Sequence, residues 1–182
     1  MKRSDFMKSM AIGLGMFSTS LVGNARALGG GHEKRSQNMK PKILKEGEGE
    51  KQLLLGDWQT IKLTGKDTNN QYTQIEHVSN PGMGIPLHIH RDEDEVFHVL
   101  EGELEIQVGN EVKVLKSGDI GFCPRGIPHS WRVVGDQKVK LMLCVFPSGI
   151  EHMFKEIAAL PAGPPDLEVL RQISEKYNIR FV

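Results

Sequence analysis

Cysteine is scarce in this chain: Cys123 and Cys144 are the two among 182 residues. They fall in different predicted strands and form no C-x-x-C pair of the metal-binding type. Two small apolar side chains in a core is the expected state, and a disulfide stays open in an oxidising compartment. Aromatics make up 6% of the chain and charged residues 25%, which fits neither a disordered chain nor a membrane bundle. No internal repeat is visible, and the length suits one domain better than two. Net charge is zero, but residues 1–27 hold four basic residues and one acidic. The remainder carries 19 basic and 22 acidic residues. A mildly acidic body with no basic stripe argues against nucleic acid as a partner.

The N-terminus reads as an export signal. Lys2, Arg3 and Lys8 form a basic start, Ser9 to Gly23 carries no charge, and Ala25-Arg26-Ala27 gives a small-x-small cleavage site. The uncharged run is shorter than the roughly 20 residues of a membrane span, and no cysteine follows it to anchor a lipid. The segment Lys2-Arg3-Ser4-Asp5-Phe6-Met7-Lys8 resembles a twin-arginine signal with Ser4 in place of the second arginine, and ordinary Sec export is the rival route. The expectation is a signal over 1–27, removed to leave a periplasmic or secreted protein with no membrane segment. A Gly-, Lys- and Glu-rich flexible arm is expected over 28–52, with His32 solvated within it.

From Leu53 the texture changes. Trp58–Leu63, Tyr72–Val78, Glu95–Leu100, Asp119–Cys123, His129–Val134 and Val139–Phe146 read as strands. Leu104, Ile106 and Val108 alternate with polar residues, and Gly109-Asn110 suits a two-residue hairpin turn. Many short strands with regular turns predict an all-β antiparallel sandwich or barrel. A domain over 53–147 follows, then a helical extension over 148–182. There Ile150, Phe154, Ile157 and Ala158 form one apolar stripe, and Leu167, Leu170 and Ile173 form a second. Both stripes are expected to pack on the outside of the barrel.

The chemistry is concentrated in Gly82–Gly102. His88 and His90 are two apart, so a strand sends both imidazoles to one face. Glu95 follows five later, and a bend or bulge in Arg91-Asp92-Glu93-Asp94 is expected to turn it inward. Two imidazoles and a carboxylate suit a divalent transition metal. A third histidine, His129, follows a Pro-Arg-Gly turn. Asp92-Glu93-Asp94 reads as a solvated loop at the pocket mouth, and His98 falls on the face opposite Glu95. Phe97 shares the face of Glu95, and His77 and Trp131 are further wall candidates. Arg125 is the one visible candidate cation, with a turn-surface position as the simpler reading.

Gly82, His88, His90, Glu95 and Gly102 match G-x5-H-x-H-x4-E-x6-G, and Gly118, Pro124, Gly126 and His129 match G-x5-P-x-G-x2-H-x3-N, with Val133 in place of the final Asn. These two motifs resemble those of single-domain cupins of the RmlC-like superfamily, and within it the quercetin-dioxygenase-like proteins. The resemblance implies a single antiparallel cupin β-barrel, or jelly roll, and His88, His90, Glu95 and His129 as ligands of one metal per chain. Iron, manganese or nickel fit it best; cobalt, copper and zinc share the ligand chemistry. It further implies a homodimer, a small-molecule substrate, dioxygen as co-substrate, and Glu95 as base toward a phenolic or enol hydroxyl. The alternatives are another cupin enzyme, an oxalate-type decarboxylase or isomerase, and a non-enzymatic small-molecule binder. An oxalate enzyme would want a cationic pocket.

Overall fold

The computed structural model describes residues 39–161, 163–164 and 166–182. The expected signal over 1–27 and His32 lie outside them. Eleven strands and three helical segments follow in order among these residues: β1 (Glu50–Leu54), β2 (Asp57–Leu63), the helical turn α1 (Gly65–Thr68), β3 (Thr73–Ser79), β4 (Gly84–His90), β5 (Asp94–Glu101), β6 (Glu103–Val108), β7 (Glu111–Lys116), β8 (Ile120–Cys123), β9 (His129–Val134), β10 (Val139–Phe146), α2 (Ile150–Ala158), α3 (Leu167–Lys176) and β11 (Ile179–Phe181). None of the described helices is long and apolar enough to cross a membrane.

The strands form two antiparallel sheets, one ordered β1-β2-β3-β10-β5-β8 and the other β11-β4-β9-β6-β7. Together they make a jelly-roll-like fold with C-terminal helices. Period-2 alternation decides what faces the interior. In β3, Thr73, Ile75, His77 and Ser79 are buried, and in β10 Val139, Leu141, Leu143 and Val145 are buried. Phe97, Val99, Leu104, Ile106 and Val133 complete the centre of the core. Fully burying one such side chain contributes about 1.5–3 kcal/mol. Val133, where the second motif has Asn, is 2% exposed, so an apolar side chain suits that position.

Glycine is required at two motif positions. Gly102 has φ +80, and a Cβ there would overlap the Lys138 carbonyl. Gly126 has φ +77, and its N–H donates to the His90 carbonyl at 2.8 Å, which ties the Pro-Arg-Gly turn to β4.

Three expectations are corrected. The expected arm over 28–52 enters the sheet at Glu50, where β1 pairs with β2. Before it, Lys42 pairs with Asp67, and Lys62 donates to the Glu48 carbonyl, because this stretch covers the outer face of β2. The extension over 148–182 ends in a strand, β11, which pairs with β4. Between β2 and β3, α1 is closed by reciprocal bonding between Thr64 and Asp67. Finally, α2 and α3 contribute side chains to the lining of the cavity, which packing on the outside of the barrel alone would not give. An amphipathic stripe fixes which side of a helix is buried but not which surface receives it.

Candidate metal centre

The four residues singled out by spacing converge. His88, His90, Glu95 and His129 are each 5% exposed or less, and one ligand-type atom from each lies within 4.8 Å of the others. Two sheets supply them. His88 and His90 are on β4, and His129 stands opposite His88 in the β4–β9 register, with ring centroids 4.3 Å apart. Glu95 comes from β5 in the facing sheet. Of the bend or bulge expected in Arg91–Asp94, it is the bend that forms: the chain bends at Arg91 and Asp92 and crosses between sheets there, which resets which side chain faces inward. The irregularity in β4 falls between Ile85 and His88 instead.

Each imidazole is oriented by its far nitrogen. Nδ1 of His88 lies 2.8 Å from the Pro86 carbonyl oxygen, Nδ1 of His129 3.2 Å from that of Ile127, and Nδ1 of His90 2.9 Å from Glu93 Oε2. With Nδ1 engaged outward, each Nε2 is turned to the interior, where a bound ion would take its lone pair. Histidines that ligate metals are commonly held in this way. The donor set thus fits a divalent transition ion. Glu95 Oε2 lies 3.0 Å from His129 Nε2, and Oε1 lies 3.8 Å from His90 Nε2.

The electrostatics are strongly coupled. Burial would raise the Glu95 carboxyl, but His90, His129 and His88 outweigh it and hold the group at about 2. Burial pulls His88 down to about 4. Burial also opposes a proton on His90, but Glu95 and Glu93 together outweigh it and raise this group. Burial and the nearby Glu95 charge push the Cys123 thiol up to about 12, so it is no nucleophile. Both cysteines are free, Cys123 buried and Cys144 half-buried.

The solvated-loop expectation fails at Glu93, whose carboxylate is the anchor of His90. Its neighbours behave differently. Asp94 takes both Nε and Nη2 of Arg125, at 3.0 and 2.6 Å, which holds the Asp94 carboxyl at about 2. Asp92 is exposed and accepts from Asn178. Arg125 is therefore a surface side chain committed to Asp94.

His88, His90 and Glu95 form the floor of a cavity of about 130 Å³, with His129 behind them. That is below the roughly 300–1,000 Å³ of drug-sized sites. Phe97, Trp131 and His77 line its walls, as their strand positions suggest, and Met153, Phe154 and Phe181 contribute from the C-terminal segment. Among the described residues, no lysine or arginine lines it. Among the lining residues that escape sequence reasoning are the polar Asp57 and Gln59 on β2; only their alternation with exposed Trp58 hints at an inward direction.

Known proteins share parts of this sequence and this fold. A cupin domain model matches residues 76–146. Quercetin 2,3-dioxygenase of Bacillus subtilis (strain 168) is 31% identical over 117 residues, 64% of this chain and 34% of that protein. The chain thus spans about a third of that relative's length. An RmlC-like cupin from Shewanella frigidimarina superposes with a TM-score of 0.53 at 20% identity, over 62% of this chain and 96% of that one. KdgF from Halomonas sp. superposes at 0.55 and 16% identity, over 62% of this chain and 99% of that one.

Proposed function

This chain belongs to the cupin family, and on that footing we propose that it is an exported, metal-dependent dioxygenase acting on a small phenolic or enol substrate. The observation that carries the proposal is a four-ligand cluster at the floor of a small apolar cavity that no lysine or arginine lines. Apolar walls suit an aromatic or enol body, and the modest volume favours a compact molecule over a flavonol. The same lining disfavours an oxalate-type decarboxylase, because a dianion would meet no cation there. The B. subtilis relative supports dioxygenase chemistry only by likeness.

In this reading His88, His90 and His129 hold one divalent ion through Nε2, with Glu95 as the fourth ligand. Iron, manganese and nickel are the preferred identities. When bound, the ion would supply Lewis acidity toward a substrate hydroxyl and the redox capacity that dioxygen chemistry needs. Glu95 takes the hydroxyl proton on Oε1, the oxygen not engaged with His129. The apolar walls hold the deprotonated substrate away from water. Both atoms of dioxygen enter the product, and the substrate supplies the electrons.

Dioxygen uptake, measured with a panel of flavonols, diketones and small enols beside elemental analysis of the same sample, tests this. Uptake that rises with metal content is expected. Ligand binding with no uptake from any compound would move the protein to the non-enzymatic binders, and carbon dioxide release from oxalate would make it a decarboxylase. We further propose cleavage near Leu28, checked by N-terminal sequencing of the exported protein, and a homodimer, checked by light scattering at micromolar concentration.

A further inference from the structure

The cavity has a second polar end. Asp57, Gln59, His77 and Ser79 are all buried, at 0–8% exposure, on the inner face of β2 and β3. Gln52 Nε2 donates to Gln59 Oε1 at 2.7 Å, which fixes the Gln59 amide, and Gln59 Nε2 then donates to His77 Nε2 at 2.8 Å. With Nε2 accepting, the neutral ring must carry its hydrogen on Nδ1. Burial pulls His77 down to about 4, so the ring is neutral at ordinary pH. Asp57 Oδ2 accepts from the Ser79 hydroxyl at 2.8 Å.

Two polar atoms remain. Neither His77 Nδ1 nor Asp57 Oδ1 makes a hydrogen bond to a described residue, and burial raises the Asp57 carboxyl against the bond from Ser79 and the nearby Asn80 backbone N–H. Leaving such groups buried and unpaired is costly, and native structures do so rarely. Gln59 stands opposite His77 in the β2–β3 register, so Asp57, two residues before Gln59, is its diagonal neighbour on one face. Both residues line the cavity. One unpaired atom is a donor and the other an acceptor.

We propose that Asp57 and His77 form a hydroxyl-binding pole that holds the end of the substrate remote from the His/Glu cluster. The hydroxyl donates to Asp57 Oδ1 and accepts from His77 Nδ1–H. The ligand class is a compact aromatic or enol molecule with a polar group at each end. The inference rests on the cavity being a substrate site, but not on the oxidation chemistry proposed for its other end.

The test compares two near-isosteric probes, 4-(hydroxymethyl)phenol and 4-ethylphenol, by calorimetric titration of the metal-loaded full chain. The hydroxymethyl compound should bind about tenfold more tightly, the worth of one well-made buried hydrogen-bond set. The advantage should vanish in Asp57→Asn, which places a donor where the acceptor stood, and in His77→Phe, which keeps the ring contact with Phe154 (centroids 6.1 Å apart) but removes the N–H. Equal affinities in the unsubstituted protein, failure of both probes to bind, or an advantage that survives both substitutions would each overturn the proposal. Melting temperatures of the ligand-free variants check that loss reflects recognition and not unfolding. If the two substitutions lower the melting temperature while the probes bind alike, the pair is structural. A tenfold preference without dioxygen uptake leaves the pole standing and removes the dioxygenase reading; uptake insensitive to both substitutions does the reverse.

Discussion

Three buried histidines line one cavity and a fourth, His129, stands behind its floor, and the two ends treat them differently. At the floor, His88, His90 and His129 have Nδ1 held by Pro86, Glu93 and Ile127, so Nε2 is the nitrogen turned toward the cluster. At the far wall, His77 has Nε2 held by Gln59, so Nδ1 is the free atom and carries hydrogen. His77 and His88 share the same depression to about 4 by burial. Burial therefore does not separate the two roles; the anchored nitrogen does. An anchored Nδ1 leaves a lone pair for a cation, while an anchored Nε2 leaves an N–H for an acceptor.

The largest effect that would sharpen this contrast is expected at Glu95. Glu95→Gln should retain much of its metal and lose about a hundred- to ten-thousand-fold in turnover, the usual worth of a general base. Metal content and rate on the same sample check this; a rate that falls only with metal content makes Glu95 a ligand alone. Next, His88→Ala or His129→Ala should lower metal affinity by more than about 100-fold, exceeding the loss typical of an outer anchor, with the barrel still folded by circular dichroism. Full occupancy in both by elemental analysis would break the contrast between the two ends.

A smaller effect tests the anchor itself. Glu93→Ala frees His90 Nδ1 and should weaken metal binding about 10–100-fold, while Asp92→Asn, which alters an exposed neighbour, should leave a competitive chelator titration unchanged. The smallest effect concerns the cover over the cavity. Glu151, in the first turn of α2, accepts from Gly65 N at 2.9 Å, Gly149 N at 2.8 Å and the Thr73 hydroxyl. Burial would raise this carboxyl, but these bonds outweigh it and the group sits below its ordinary value of 4.5. Its contribution is thus fully present above the unfolded value and is lost as pH falls through the folded one. Glu151→Gln should cost about 1–3 kcal/mol at neutral pH and flatten the acid side of the stability curve, read by denaturant melts at several pH values.

Much of the site is legible in the chain itself, because its signals are local. The two-residue spacing of His88 and His90 works through strand alternation alone, and β9 and β10 occupy the residues expected of them. Glu95 is legible as a ligand, and so is the bend before it, but not the change of sheet, since a sheet-to-sheet crossing leaves no periodic trace. Glu93 misleads because a carboxylate in an acidic run looks the same whether it faces water or an imidazole. The C-terminal stripes show one buried side per helix, yet α2 and α3 lie over the cavity through contacts made to the barrel across the fold, Glu151 to Gly65 and Thr73 among them.

Alternation, turn glycines and ligand spacing are properties of neighbours along the chain, and through them the sequence by itself determined a β-rich domain, its inward-facing histidines and the glycines at Gly102 and Gly126. Which strands face one another is a long-range matter, and only the tertiary structure decided that Glu95 meets His129 across two sheets, that β11 closes the edge beside β4, and that Asp57 and His77 share a wall. The three cluster histidines take their Nδ1 anchors from partners two or three residues away, whereas the anchor of His77, Gln59, lies 18 residues off on another strand and reaches it only through the sheet.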